Sequence, residues 1–234
     1  GYKADGLFRN DKEAAEYASR IDLSTVASGY YTATGAYGKG VRGGDIKYLD
    51  LNGDNIVNGG KGTLDDPGDR RVIGNSSPRY QYGASLNFSW YGFDVSVFMQ
   101  GIGRLDWYPG ADNLRFWGPY CRPYATFVPK NFMSQVWSEE NPDAYFPRAR
   151  AYTSLNSNSG TAYYTNDRYL QNLAYCRLKN LTVGYTLPRQ WTRKALIESL
   201  RIYFTGENLF TWSGIRSDYI DPEMAATNGN LRLY

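Results

Sequence analysis

Histidine is absent from this chain of 234 residues, and cysteine occurs only twice. Without an imidazole there is no Ser-His-Asp triad, no histidine general base and almost no route to a zinc site. Cys121 and Cys176 are too few to hold a metal cluster alone. They can form one disulfide in an oxidising compartment or stand as two thiols, and the sequence leaves both open. No stretch of about 18 apolar residues exists, so no transmembrane helix is expected. The mean hydropathy is −0.56. A membrane barrel is not excluded, because barrel strands hide their hydrophobicity in alternation. Long basic blocks are missing too, and 26 Lys+Arg against 23 Asp+Glu leave a formal charge of +3. No nucleic-acid partner is expected from that balance. An initiator Met and a signal peptide are both absent, and the chain stops on NGNLRLY. It reads as a piece of a longer protein, so the lack of a targeting signal says nothing about location. Paired catalytic carboxylates are wanting as well. Glu139, Glu140 and Asp143, or Asp218 and Asp221, are ordinary acids with nothing to fix a pair at a working separation. No enzyme is expected.

What is abundant is tyrosine, 22 residues, and with 6 Trp and 10 Phe the aromatic share reaches 16%. Such a composition suits strands joined by polar loops. From Arg79 to Trp90 the alternation is unbroken. Tyr80, Tyr82, Ala84, Leu86, Phe88 and Trp90 take one face, and Gln81, Gly83, Ser85, Asn87 and Ser89 take the other. Tyr91-Gly92 reads as a tight hairpin turn. Phe93, Val95, Val97 and Met99 then resume the apolar face, with Phe98 as the exception. A second pair follows: Leu181, Val183, Tyr185 and Leu187, stopped by Pro188, and Leu200, Ile202 and Phe204, leading to Trp212. Residues 7–21 are expected to be helical with Asn10 or Asp11 as cap. Residues 28–44 read as a loop, 45–49 as a short extended run, and 130–140 as a helix.

Two architectures suit this pattern. One is a soluble β-sandwich, a carbohydrate-binding module in function. The other is a transmembrane barrel. Its strands need about 9–11 residues, an apolar outer face and aromatics at both interfaces. Tyr80 and Tyr82 stand at one end of the apolar face, and Trp90 and Tyr91 at the other. The partner face lacks the Lys and Glu of a solvated sheet. Connections are short on one side (91–92 and 189–199) and long on the other (101–174), as outer-membrane barrels have them.

The blocks IGNSSPRY, YGFDVSVFMQG, RLKNLTVGYTLP and GENLFTW, in this order and with GDIKYLDLNGDN ahead of them, resemble the C-terminal part of SusC/RagA-type TonB-dependent outer-membrane proteins. The lead-in ADGLFRNDKEAAEY is similar as well. The resemblance covers nearly the whole chain and weakens in 101–174 and 213–234. It implies an all-β fold: antiparallel strands from an incomplete transmembrane barrel, with long outer loops and short helices. It implies an outer-loop region at 1–78, barrel strands within 79–212 and a further outer loop at 213–234 before a final strand. It further implies import of oligosaccharides or peptides across the outer membrane of a Gram-negative cell of Bacteroidetes type. A SusD-like surface lipoprotein is the implied partner, and the TonB complex would act through an N-terminal part outside this chain.

The stretch Asp50-Leu51-Asn52-Gly53-Asp54 places oxygen side chains at alternate positions, as a calcium loop does. Counting on gives the Ile56 carbonyl and Asn58, but position 12 is Lys61, which cannot ligate. In the resembled family an Asp before R-x-V-I-G closes the loop, and here that residue is Asp69. The expected Ca²⁺ ligands are Asp50, Asn52, Asp54, the Ile56 carbonyl and Asp69, with Asp65 or Asp66 as substitutes. The plainer alternative is an Asx-rich turn whose side chains bond their own backbone. Trp107, Tyr108, Phe116, Trp117, Tyr120 and Tyr124 gather in the long loop. Trp107, Tyr108, Trp117 and Tyr120 are expected ligand contacts, since aromatic faces stack on sugars. Packing of the loop on itself is the alternative.

Overall fold

The computed structural model of the protein describes residues 1–32, 40–121, 128–150, 160–217 and 219–225. Tyr124, Asp218 and the final NGNLRLY, named above, lie outside these residues. In chain order the elements are β1 (Ala4–Leu7), α1 (Asp11–Ala18), α2 (Ser28–Thr32), β2 (Ile46–Tyr48), β3 (Arg79–Trp90), β4 (Phe93–Arg104), β5 (Asp106–Trp107) and α3 (Leu114–Trp117). Then follow β6 (Gln171–Asn172), β7 (Tyr175–Thr186), α4 (Arg189–Thr192) and β8 (Arg201–Ser213). Among the described residues no helix is long and apolar enough to cross a membrane. The chain divides into two compact units, Gly1–Gly74 with Tyr108–Leu170, and Asn75–Trp107 with Gln171–Tyr234.

The first unit has little regular structure. β1 pairs antiparallel with β2. Asn10 caps α1, its Oδ1 accepting from the Glu13 amide at 2.9 Å, so the helix begins at Asp11 and the four residues Ala4–Leu7 are strand. The helix expected over 130–140 is reduced to one 3-10 turn, Met133–Gln135. Val136 is extended beyond it, and the Trp137 amide donates to the Phe146 carbonyl at 3.1 Å. Burial of Phe132, Val136 and Trp137 in the aromatic interior overrides the local helix preference.

That interior is built mainly of rings. Trp117, Tyr30, Tyr48, Tyr169 and Phe8 are fully buried beside Leu23, Ile46 and Val57. Irregular chain leaves many carbonyls without ladder partners, and side-chain donors take them. The hydroxyl of Tyr17 donates to the Tyr48 carbonyl at 2.7 Å, that of Tyr120 to Pro147 at 2.5 Å, and that of Tyr169 to Tyr145 at 3.0 Å. Tyr48 donates to the Thr161 carbonyl. Arg168 Nη2 donates to the carbonyls of Ala144 at 2.6 Å and Tyr145 at 3.0 Å. The high tyrosine content thus has a physical use: one residue fills the core and supplies the missing donor.

The second unit is a four-stranded antiparallel sheet in the order β3-β4-β7-β8. The expected strand Arg79–Trp90 is present at those bounds. β4 runs on to Arg104, and β7 begins at Tyr175, earlier than the apolar alternation alone marked. β3 and β4 join through Tyr91 (φ 46°) and Gly92 (φ 89°), a two-residue hairpin turn with both central residues left-handed. The Thr186 amide donates to the Gly92 carbonyl at 2.7 Å. The 91–92 turn and the 187–200 connection therefore lie at one end of the sheet, and the 105–174 connection leaves from the other. β5 pairs with β6. Cys121 and Cys176 are not joined by a disulfide.

Candidate functional site

Register converts the alternation of single strands into two faces of a wall. Across β3, β4, β7 and β8 the rows Trp90–Phe93–Tyr185–Ile202, Phe88–Val95–Val183–Phe204 and Leu86–Val97–Leu181–Gly206 all fall on one face. So do Ala84–Met99–Leu178–Phe210 and Tyr82–Gly101–Cys176–Trp212. None of these residues carries a charge. The rows at the two ends hold the Tyr and Trp residues. From the Trp90 row to the Tyr82 row is about 27 Å along β3 at ~3.4 Å per residue. With the usual tilt of roughly 40° this gives an apolar height of about 20 Å, close to the lipid-facing band of a barrel. The face is bare: Leu86 is 65% exposed, Phe88 56%, Phe204 63% and Phe210 60%.

The opposite face is polar. Its rows include Asn87–Ser96–Thr182–Thr205 and Ser89–Asp94–Gly184–Tyr203. Phe98, the one break in the pattern, sits here opposite Ser85 and Asn180. Next to it Lys179 is the extra residue of a bulge. Two ion clusters stand on this face, and the sequence reading missed both. Arg201 grips Asp94 with Nε at 3.0 Å and Nη2 at 2.5 Å, reaching from β8 to β4 across β7. Gly184 makes this reach feasible, because a Cβ there would lie 2.7 Å from both Asp94 oxygens and from Arg201 Nη2. Arg177 donates to Thr211 Oγ1 at 2.9 Å, Asp221 at 2.5 Å and Glu223 at 2.6 Å, and Lys179 meets Glu223 at 2.8 Å. The acids Asp221 and Glu223 meet basic partners, Arg177 and Lys179, that stand 44–46 residues earlier in sequence.

In the first unit the Asp50 loop is an interlocked set of Asx bonds. Asp50 Oδ1 accepts from the Gly53 amide at 2.7 Å and Oδ2 from Asn55 at 2.8 Å. Asn52 Oδ1 accepts from Asp54, and Asp54 Oδ1 from Ile56. Asp69 is fully buried. Its Oδ1 accepts from Leu51 at 2.7 Å and its Oδ2 from Asn58 at 2.9 Å, so it closes the loop from below. Desolvation alone would raise the Asp50 carboxyl, but the amides of Gly53 and Asn55 hold it below its ordinary value. The backbone amide of Asp66 donates to Thr63 Oγ1 at 3.1 Å, and Asp65 is exposed. Among the described residues no group of three His, Cys, Asp or Glu gathers in a way that could hold a metal. The loop is closed by backbone donors.

The aromatic candidates are placed as follows. Trp107 is half-buried in β5, paired with Gln171. The Tyr108 hydroxyl is buried, donating to the carbonyls of Ala162 and Tyr164 at 3.0 Å and accepting from Asn166 Nδ2 at 2.9 Å. Burial drives its pKa well above the ordinary tyrosine value. Trp117 is fully buried, with Nε1 donating to Pro109 and Gly110 and its ring 4.9 Å from that of Tyr169. Tyr120 packs on Phe132 and Phe146. The structure brings Tyr108, Phe116, Trp117 and Tyr120 together inside the first unit, with their faces against protein.

No family model matches the chain. Two curated proteins of Formosa agariphila are similar to it. TonB-dependent receptor P26 is 29% identical over 180 residues, covering 77% of this chain and 16% of that protein. TonB-dependent receptor P3 is 28% identical over 190 residues, covering 80% and 16%. The chain thus spans about a sixth of the length of these relatives. Among solved structures, one chain of the RagAB peptide importer in the open-open state gives a TM-score of 0.50 at 19% identity, over 81% of this chain and 19% of that one. A structure of the RagAB peptide transporter gives 0.51 at 21%, over 77% and 18%. At such identities the likeness is one of fold. The chain is thus similar to two TonB-dependent receptors, as its ordered sequence blocks implied, and its antiparallel strands are like those of part of the RagAB transporter in fold.

Proposed function

We propose that the four strands form part of the wall of an outer-membrane TonB-dependent transporter, with the apolar face against lipid and the polar face lining the lumen. The observation that carries this is the uncharged, exposed face that runs in register across four strands. A soluble β-sandwich would cover that face with a second sheet, and β3 is exposed along its whole length. In this reading the end with the 91–92 turn faces the periplasm. The first unit, carried by the long connections, faces the outside. There the Asp50–Asp69 loop acts as a staple, and the protein has no catalytic role.

A SusD-like surface lipoprotein is the partner we infer, and an oligosaccharide or a peptide the cargo. The RagAB likeness supports the pairing at the level of fold only. The test is to express the full-length gene product, fractionate the membranes and measure uptake of labelled oligosaccharides and peptides with and without TonB. Outer-membrane recovery with TonB-dependent uptake is expected. Recovery as a detergent-free soluble monomer would return the reading to a carbohydrate-binding module.

A further inference from the structure

The connection between β7 and β8 does more than turn the chain. Over residues 188–200 it carries Arg189, Arg193 and Lys194 against a single acid, Glu198. Among the described residues its one ion pair, Arg189 Nη2 to Glu198 Oε1, is 3.7 Å long with side chains 69% and 91% exposed, too weak and wet to neutralise the patch. Among these cations stand apolar side chains with no cover. Trp191 is 62% exposed and Leu196 97%. The local fold holds them out. Thr192 is buried as the anchor of α4, and the Ile197 amide closes back on its carbonyl at 3.1 Å. Leu196 adopts φ 58°, a left-handed conformation uncommon for leucine. In water such a turn would be expected to carry Gly or Asn at that place, and no exposed Trp and Leu.

This patch continues the membrane face. It lies at the sheet end where Trp90, Phe93 and Tyr185 form the terminal aromatic row, with Phe93 and Tyr185 rings 4.4 Å apart. The 91–92 turn at the same end has no charge but an exposed Tyr91. Cations beside an exposed Trp, at the edge of a lipid-facing band, match the headgroup region of a bilayer in both polarity and sign.

We propose that residues 188–200 are a docking surface for anionic phospholipid headgroups in the leaflet at the short-turn end. Arg189, Arg193 and Lys194 would meet the phosphates, while Trp191 and Leu196 enter the interface. The inference rests on the membrane-spanning reading and adds a lipid preference to it.

The test uses the full-length protein in phosphatidylcholine vesicles doped with either brominated phosphatidylglycerol or brominated phosphatidylcholine. Quenching at Trp191 is read as the difference between the wild type and Trp191→Phe. Stronger quenching by the anionic probe is expected. Arg189→Gln/Arg193→Gln/Lys194→Gln should abolish that preference, since each cation near an anionic surface contributes roughly fivefold to local lipid binding. Unchanged quenching of the remaining tryptophans confirms that this variant is folded. Equal quenching of Trp191 by both probes in the wild type, or a preference that survives in the triple variant, overturns the proposal and leaves the membrane reading standing. Absence of quenching of any tryptophan by either probe sinks the membrane reading itself.

Discussion

Rings are interior in Gly1–Gly74 with Tyr108–Leu170: Tyr48, Trp117, Tyr120 and Tyr169 are buried, and most of their polar tips donate to carbonyls of irregular chain. In Asn75–Trp107 with Gln171–Tyr234 the same residue types point outward, Phe88, Trp90, Phe204 and Trp212 among them, and β-ladders satisfy the backbone instead. One unit needs aromatic side chains to hold the chain together. The other needs its ladder for that and keeps its rings for the solvent it meets. The contrast implies that mutations of one kind should have opposite consequences in the two units.

The sharpest break of the comparison is a truncation. Trp117→Ala should destabilise the first unit by about 3–5 kcal/mol, the usual cost of emptying a buried large aromatic site. Phe88→Ala on the outer face should cost far less. Hydrogen exchange of unit-specific peptides in the full-length protein measures both, and equal costs would erase the distinction.

A charge buried in the first unit gives the next effect. Asp45 is fully buried, 2.7 Å from Arg150, and its Oδ1 finds no hydrogen-bond partner among the described residues. Burial pushes its carboxyl from 3.8 up to about 7, against the pull of Arg150 and the Arg42 amide. Between these values the folded state holds a proton that the unfolded chain releases. Its contribution is therefore full below about pH 4 and is lost as pH rises through about 7, by at most about 4 kcal/mol. Exchange-derived stability of the first unit should fall over that window, and Asp45→Asn should flatten the fall.

For the sheet, Leu86→Arg should destabilise the inserted protein by about 2–4 kcal/mol, the cost of a cation on the lipid face at mid-height. Asn87→Arg, one residue on and in the polar row, should be nearly silent. Folding titrations into vesicles compare them. The smallest effect is expected for Tyr120→Phe, which keeps the ring but leaves the Pro147 carbonyl without its donor, about 1–3 kcal/mol. Exchange at peptides containing Ala144 to Arg148 would register it.

The sheet was legible because its information is local. A period of two over Arg79–Trp90 fixed strand, face and turn at once, and the Tyr91-Gly92 hairpin followed from residue type. The faces of β7 were legible only from Leu181 onward, since the bulge at Lys179 shifts the phase of Tyr175–Leu178. The first unit was not legible as a unit. Its interior joins Tyr48 to Thr161 and Asn166, more than 100 residues away, through hydroxyl and amide bonds that leave no periodic trace. For the same reason Trp117 and Tyr120 read as surface candidates, although in the structure their faces pack on protein. The Asp50 loop was half legible: its oxygen spacing was plain and suited both a cation and an Asx turn, and only the structure shows backbone amides on those oxygens.

The central claim is that one face of β3 and β4 meets lipid and the other meets water. Spin labels at single cysteines through 84–89 and 94–99 of the full-length protein, reconstituted in vesicles, test it directly. Collision with lipid-dissolved oxygen should peak at Ala84, Leu86, Phe88, Val95 and Val97. Collision with an aqueous nickel chelate should peak at Ser85, Asn87, Ser89 and Ser96, in strict alternation. Equal nickel access on both faces, or an apolar face closed to both reagents, would contradict the account.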